Sequence, residues 1–328
     1  MSRGCAQYRN SDGVSCYINS ILAILQNTPI FTDYIVNGEF PEETIIHKLQ
    51  ELFKCSLKNP NKVLQTTSFR KKITEKNFIW GELEQQDSQE FLTFLISSLE
   101  EEVKQNVVFI PQLKNNTLSI NKGIFKTDED IFIGNIMAQL QWEKFVEKEY
   151  SPIKMLFTGQ LHEQTICDNC GYINNKYDIF QNLQLDITGS TLIKCLNNYS
   201  LERKLDKDNM VYCNYCHMKN RANTKSGIWK CPKILIINLK RFKMNDYGQV
   251  IGKNTNLVKY DKRMSINGEE YNLFAVNLHY GRTINRGHYT SYVLNRFDNT
   301  WYEYDDNKAI QVSNIIDRNA VLLFYIKK

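Results

Sequence analysis

No stretch of this 328-residue chain is apolar for long enough to cross a membrane. The longest runs, such as ILIINL at 234–239, fall far short of the roughly 20 residues that a helical span needs. Residues 1–15 carry no apolar core of the kind found in a secretory leader, which predicts a protein not exported by that route. Charge of one sign is missing as well. The 41 basic residues nearly balance the 36 acidic ones, and the net +5 is too weak to argue for a nucleic-acid surface. Densely paired cysteine is absent too: nine cysteines is an odd number, and only four fall in close pairs. Such usage predicts reduced thiols serving metal binding or catalysis, and a cytoplasmic or nuclear setting. What is present is ordinary globular composition, 42% apolar and 23% charged, in a chain long enough for one elaborated domain or for two or three lobes.

The most informative text lies near the C-terminus, from Tyr271 to Asp306. Apolar and polar residues alternate over Leu273–His279 and again over Tyr289–Leu294, which predicts two strands with one buried face. Between them lies GRTINRG, a polar loop, so Gly287 and His288 open the second strand at a loop–strand junction. A third strand, Trp301–Asp305, returns toward His288 and ends in two carboxylates. A hairpin of that size places Asp305 or Asp306 near the far imidazole nitrogen, and strand register decides which. A histidine aligned by a carboxylate is half of a catalytic device; alone it would read as a buried structural histidine.

A nucleophile is offered near the other end. Asn10–Gly13 is turn chemistry, and from Cys16 the apolar residues Ile18, Ile21, Leu22 and Leu25 recur at helical spacing until Thr28-Pro29. Cys16 therefore sits in the first turn of a core helix, where partial positive charge favours thiolate and loop N–H groups can line an oxyanion pocket. Cys5, Cys55, Cys195 and Cys231 have no such surroundings and are read as small packed hydrophobes. Further amphipathic helices are expected over residues 42–58 and 85–104. The latter is introduced by Asp87 and Glu90 at capping-box spacing, with His47 a solvated or packed residue of the former. Residues 115–123 are loop-like, and Ile136–Glu147 is a candidate helix containing Trp142. Residues 228–244 read as one buried strand and AVLLFYIK as a closing strand. Two knuckles of equal spacing, Cys167-Asp-Asn-Cys170 and Cys213-Asn-Tyr-Cys216, match a tetrahedral zinc site with four thiolate ligands.

Taken together, GVSCYINSILAILQ, QQDSQEFL, SPIKMLFTGQL, CDNCG, ILIINLKRF, GHYTSYV and WYEYDD resemble, in order and spacing, the boxes of the ubiquitin-specific protease family over nearly the whole chain. That resemblance implies an α+β, papain-like cysteine protease in three parts. A helical thumb would occupy residues 1–150, zinc-pinned β fingers 151–233 (interleaved with the palm), and an antiparallel β palm 234–328. It implies Cys16 as nucleophile, His288 as general base and acid, and Asp305 as the orienting carboxylate, with Asp306 the alternative. It implies that Asp87 and Gln89 face the extended tail of ubiquitin, that Tyr289 walls a cleft too narrow for side chains, and that the zinc is structural. One position departs from the family. Five residues before the nucleophile, where an Asn usually donates to the oxyanion, stands Ser11, with Asn10 beside it; losing one such donor costs roughly 100- to 1000-fold in rate. The implied activity is hydrolysis after the terminal Gly-Gly of ubiquitin by a monomer that engages neither nucleic acid nor membrane. The alternatives are a weak or inactive ubiquitin-binding relative, or a protease for another ubiquitin-like modifier.

Overall fold

The computed structural model describes residues 7–105, 107, 128–245, 247, 250–283 and 286–328, with side chains from 132 onward in the second of the long segments. The chain opens with a two-residue strand, β1 (Gln7–Tyr8), paired in parallel with β2 (Val63–Leu64). The helices of this part of the chain are α1 (Cys16–Gln26), α2 (Pro29–Asn37), α3 (Ile45–Lys58), α4 (Thr67–Lys76) and α5 (Ser88–Val103). Helix α1 starts and stops where its sequence predicts. Gly13, at φ 76°, makes the turn before it, and Pro29, with no N–H to give to a continuing helix, becomes the first residue of α2. Every residue of α1 is buried, because it lies between the other helices and the main sheet. Its buried polar side chains reach out to other elements: Asn19 Nδ2 donates to Asp306 at 2.8 Å, and Gln26 is bonded to both Tyr8 and Ser56. Helices α3 and α5 form as expected. Thr44 caps α3, whose first N–H groups, of Ile45 and Ile46, are also held by Glu102 of α5 at 2.8 and 2.9 Å. His47 packs with its Nδ1 3.1 Å from the Phe40 carbonyl.

Helix α6 (Asp128–Glu149) is longer than the Ile136–Glu147 the sequence suggests, and α7 (Pro152–Phe157) follows it. Residues 115–123 lie outside the described residues. Ala138, Trp142 and Val146 recur at i, i+4 and i+8 and are buried on the inner face of α6. The next strands are β3 (Gly159–Cys167), β4 (Ile173–Phe180), β5 (Asn182–Asp186), β6 (Arg203–Leu205), β7 (Val211–Cys213), β8 (Met218–Asn220) and β9 (Ala222–Lys230), with α8 (Leu192–Tyr199) after β5. Strands β4-β3-β9-β6 make a long antiparallel sheet, and β7–β8 a short hairpin at its tip. Helix α6 lies on that sheet, with Lys230 3.6 Å above the Trp142 ring.

The remaining strands are β10 (Ile234–Lys240), β11 (Phe242–Met244), β12 (Val250–Lys253), β13 (Arg263–Ile266), β14 (Glu269–Thr283), β15 (Arg286–Leu294), β16 (Trp301–Asp305), β17 (Lys308–Gln311) and β18 (Ala320–Lys327). The main sheet runs β17-β16-β15-β14-β18-β10-β5, with β13 added on β14; β10 and β5 are its parallel pair. Residues 228–244, read as one strand, are three. Pro232 has no N–H for a ladder, so the chain breaks at 231–233 between β9 and β10, and Arg241 separates β10 from β11. Strand β10 is apolar at nearly every position because both faces of the sheet are covered. Ile234 and Ile236 pack against the N-terminal helices, and Leu235 and Ile237 against a second core with Leu183, Val258 and Tyr260. Residues 182–186, within the stretch expected to form the fingers, thus belong to the main sheet.

Candidate active site and metal centre

The approach to Cys16 is a knitted turn. Asp12 Oδ1 accepts from the N–H of Val14 and of Ser15, each at 3.1 Å, and its other oxygen is paired with Arg70. Burial works to raise the Asp12 carboxyl, but the bonds from Ser15, Val14 and Arg70 together hold it below its ordinary value. Asn10 Oδ1 accepts from the Ser15 N–H at 3.1 Å and the Ser15 hydroxyl at 2.9 Å, while its amide donates to Asp306 Oδ2 at 2.9 Å. The Ser11 hydroxyl points to Gln65, at 3.4 Å. Ser15 is the N-cap residue of α1, yet no side chain caps the helix. The first-turn N–H groups are therefore left without a capping side chain.

On the opposite wall, β14, β15 and β16 carry the histidine and its carboxylate. His288 Nε2 lies 2.6 Å from Asp305 Oδ1, and Cys16 acts on the charge of the same ring. Cys16 is the largest influence and the bond to Asp305 adds to it. Against the opposing effect of burial, they hold the imidazolium up to about 9. One oxygen of each of the two adjacent carboxylates lies within 4.8 Å of the other and of a His288 nitrogen, and register explains why they nonetheless make different bonds. Asp305 is the last residue of β16, opposite Lys308, whereas Asp306 turns the chain at φ 49°. Asp306 consequently faces the N-terminal segment, accepting from Asn10 and Asn19 through its side chain and from the Tyr8 N–H through its carbonyl, at 3.0 Å.

Behind this pair runs a cleft of about 730 Å³ between the start of α5 and strands β10 and β11, lined by Asp87, Gln89 and Tyr289 among others. Asp87 is the N-cap of α5. Its Oδ1 accepts from the N–H groups of Gln89 and Glu90, at 2.6 and 3.4 Å, yet burial outweighs them and raises its pKa. Gln89 donates along its helix to Thr93 at 3.0 Å, and the Tyr289 hydroxyl is pushed well up by burial.

Two supports, Gln85 and Asn277, were given no role from sequence. Gln85 Oε1 accepts from the Gly287 N–H at 2.7 Å, tying the α5 approach to the residue before His288. Asn277 of β14 takes a bond from Ser88 of α5 at 2.7 Å and gives one to Ser20 of α1 at 3.0 Å. A glutamine just before the α5 cap, and an asparagine inside an apolar strand, were the available signals.

At the far end of the long sheet, the sulfurs of Cys167, Cys170, Cys213 and Cys216 lie within 4.8 Å of one another and could hold a metal ion. Both knuckles close alike: Gly171 (φ 71°) and His217 (φ 53°) return their N–H to the carbonyls of Cys167 and Cys213, each at 2.9 Å. The Cys170–Cys213 and Cys167–Cys216 sulfur distances are 3.6 and 4.0 Å. Four thiolates at tetrahedral corners around zinc would stand about 3.8 Å apart, so the donors and their spacing fit that ion.

A family model, "Ubiquitin carboxyl-terminal hydrolase", matches residues 9–325. The chain belongs to that family. It is 30% identical over 350 residues to "Ubiquitin carboxyl-terminal hydrolase 2" of Homo sapiens, an alignment covering 99% of this chain and 55% of the relative. It is also 30% identical over 339 residues to "Probable ubiquitin carboxyl-terminal hydrolase R319" of Acanthamoeba polyphaga mimivirus, covering 87% of this chain and 70% of that one. The chain thus spans about half the length of the first of these relatives. Among solved structures, it is similar to a chain of the SAGA Ubp8/Sgf11/Sus1/Sgf73 DUB module bound to ubiquitin aldehyde. The TM-score is 0.74 at 22% identity, over 99% of this chain and 70% of that chain, a likeness of fold. The expected α+β ubiquitin-specific protease fold is the one observed, and among the described residues no helix is long and apolar enough to cross a membrane.

Proposed function

We propose that this ubiquitin carboxyl-terminal hydrolase family member is a deubiquitinating cysteine protease that cleaves the peptide or isopeptide bond after the terminal Gly-Gly of ubiquitin. The observation that carries the proposal is His288 bonded to Asp305 through Nε2 at 2.6 Å, with Cys16 the largest influence on the charge of its ring. His288 takes the thiol proton, the Cys16 thiolate attacks the carbonyl carbon, and the C–N bond breaks as His288 protonates the leaving amine. Water, deprotonated by His288, then hydrolyses the thioester and restores the thiol. Asp305 fixes the ring's tautomer and stabilises the imidazolium. Asp306 instead braces the segment that leads into α1.

Asn10 and Ser11 were the side-chain candidates for the oxyanion. Their amide and hydroxyl are turned to Asp306 and Gln65, so we assign the developing charge to the uncapped N–H groups at the start of α1. The cleft with Asp87, Gln89 and Tyr289 would take an extended tail, Asp87 offering a half-buried acceptor to backbone N–H groups and Tyr289 a wall that favours glycine. Residues 1–150 would act as thumb, the long sheet as fingers, and the main sheet as palm around ubiquitin's body. Zinc, when bound by Cys167, Cys170, Cys213 and Cys216, supplies a structural cross-link at the fingertips and no open coordination position. The protein would work as a cytoplasmic or nuclear monomer, with no nucleic-acid or membrane partner. The test is hydrolysis of a fluorogenic amide of ubiquitin's C-terminus: the chain should turn it over and Cys16→Ala should not. Activity surviving in Cys16→Ala would refute the assignment.

A further inference from the structure

The residue before His288 rests on a second histidine. An added Cβ at Gly287 would stand 2.3 Å from His279 Nε2, so only glycine lets the chain lie on that ring. His279 is completely buried, with ring centroids 5.3 Å from Phe242 of β11 and 4.6 Å from Tyr289 of β15, both of which line the cleft. Its Nδ1 lies 3.1 Å from the Lys253 ammonium of β12. The same ammonium donates to the carbonyls of His279 and Gly281, the latter at 3.1 Å. A lysine ammonium only donates, so Nδ1 must accept and the ring proton sits on Nε2.

We propose that Lys253 is a positioning residue. By holding His279 in one tautomer and clamping the carbonyls at the end of β14, it fixes the floor under Gly287 and thereby the aim of His288 at Cys16. It also couples the β11–β12 hairpin to the β14–β15 hairpin. The electrostatics agree. Burial, then the positive charges of Lys253 and His288, lower His279 to about 4, so the ring stays neutral and able to accept. Burial and Arg241 lower Lys253 to about 8, opposed by Asp317. Among the described residues, no other charged group acts on either side chain.

The inference rests on the proposed thiol chemistry, and one of its readouts needs no ubiquitin. Long-range ¹H–¹⁵N spectra of the full chain labelled in histidine should show His279 neutral with its proton on Nε2 at neutral pH. An Nδ1–H tautomer or an imidazolium there overturns the proposal, whatever any variant does. In Lys253→Met, kcat on the ubiquitin amide should fall about 100-fold, the scale of a 1 Å misplacement, with a smaller change in KM. Alkylation of Cys16 by iodoacetamide at neutral pH, followed by peptide mapping, should slow about tenfold, one unit of thiol pKa. Lys253→Arg should restore most of both. A folded Lys253→Met with wild-type kcat, or with lower kcat but an unchanged Cys16 alkylation profile, overturns it. Should Lys253→Met not fold, Lys253→Gln, which keeps one donor, carries the same two readouts. A wild-type chain inactive on ubiquitin whose Cys16 alkylation still depends on Lys253 would refute the protease assignment and leave the positioning role standing.

Discussion

At the fingertips, Cys167 and Cys170 meet Cys213 and Cys216 through two turns of the same shape, each closed by a left-handed residue returning its N–H to the first cysteine's carbonyl. At the junction of α1 and the main sheet, Cys16 meets His288 with nothing repeated. One side is a loop tied by Asp12 and Asn10, and the other a hairpin end held by Asp305, Gln85 and Asn277. The difference is between local and non-local design. A knuckle needs four or five residues to present two ligands, so either pair keeps its shape wherever the fold puts it. The thiol and imidazole carry no such local instruction. Their meeting depends on the buried faces of α1, α5 and β10–β18 packing in one register, and the buried polar ties set the last ångström.

That contrast can be broken at either end. The largest effect is expected from Asp305→Asn, which keeps the shape of the hairpin but misdirects the ring proton. kcat on the ubiquitin amide should fall on the order of 10,000-fold, with the thermal unfolding midpoint nearly unchanged. A mild loss would mean that Asp306 takes over the orienting role. Next, Cys213→Ser should abolish binding of one equivalent of zinc and raise KM, while Cys16 alkylation in the free protein keeps its rate. An altered alkylation rate would tie the metal centre to the chemistry.

Smaller still is a pH effect. His288 is held up to about 9 in the folded chain against 6.5 when free, so its stabilising ion pair is fully present below pH 6.5 and lost as pH rises through 9. kcat/KM should therefore decline above about pH 9, and in Asp305→Asn the decline should begin at lower pH; a profile flat to pH 10 would contradict the pairing. The smallest change is expected from Gln85→Ala, which frees the Gly287 N–H and should lower kcat about tenfold with KM less affected. Equal loss in both would place Gln85 on the substrate instead.

Much of this was legible in advance where local rules governed. The start of α1 after the Gly13 turn, Asp87 as a helix cap, the strand ending at Asp305 and the closing strand Ala320–Lys327 all follow from turn residues and periodicity. The text misled where pairing or packing overrode side-chain character. GRTINRG looks like a loop, yet Gly281–Thr283 and Arg286–Gly287 continue the ladder, past a register shift that Gly281 accommodates at φ 146°, because backbone pairing does not require apolar side chains. Residues 228–244 look like one strand because both halves are apolar, and Pro232 divides them. The choice between Asp305 and Asp306 turns on one left-handed residue after β16, and the tie between Gln85 and Gly287 on contacts some 200 positions apart.

The central claim is that the fold delivers the Cys16 sulfur to His288. It is tested most directly by treating the full chain with ubiquitin bearing an electrophile in place of its terminal glycine, then locating the adduct by peptide mass spectrometry. One ubiquitin on Cys16, lost in His288→Ala, is the predicted result. An adduct on any other cysteine, or none from a chain that nonetheless binds ubiquitin, would contradict it.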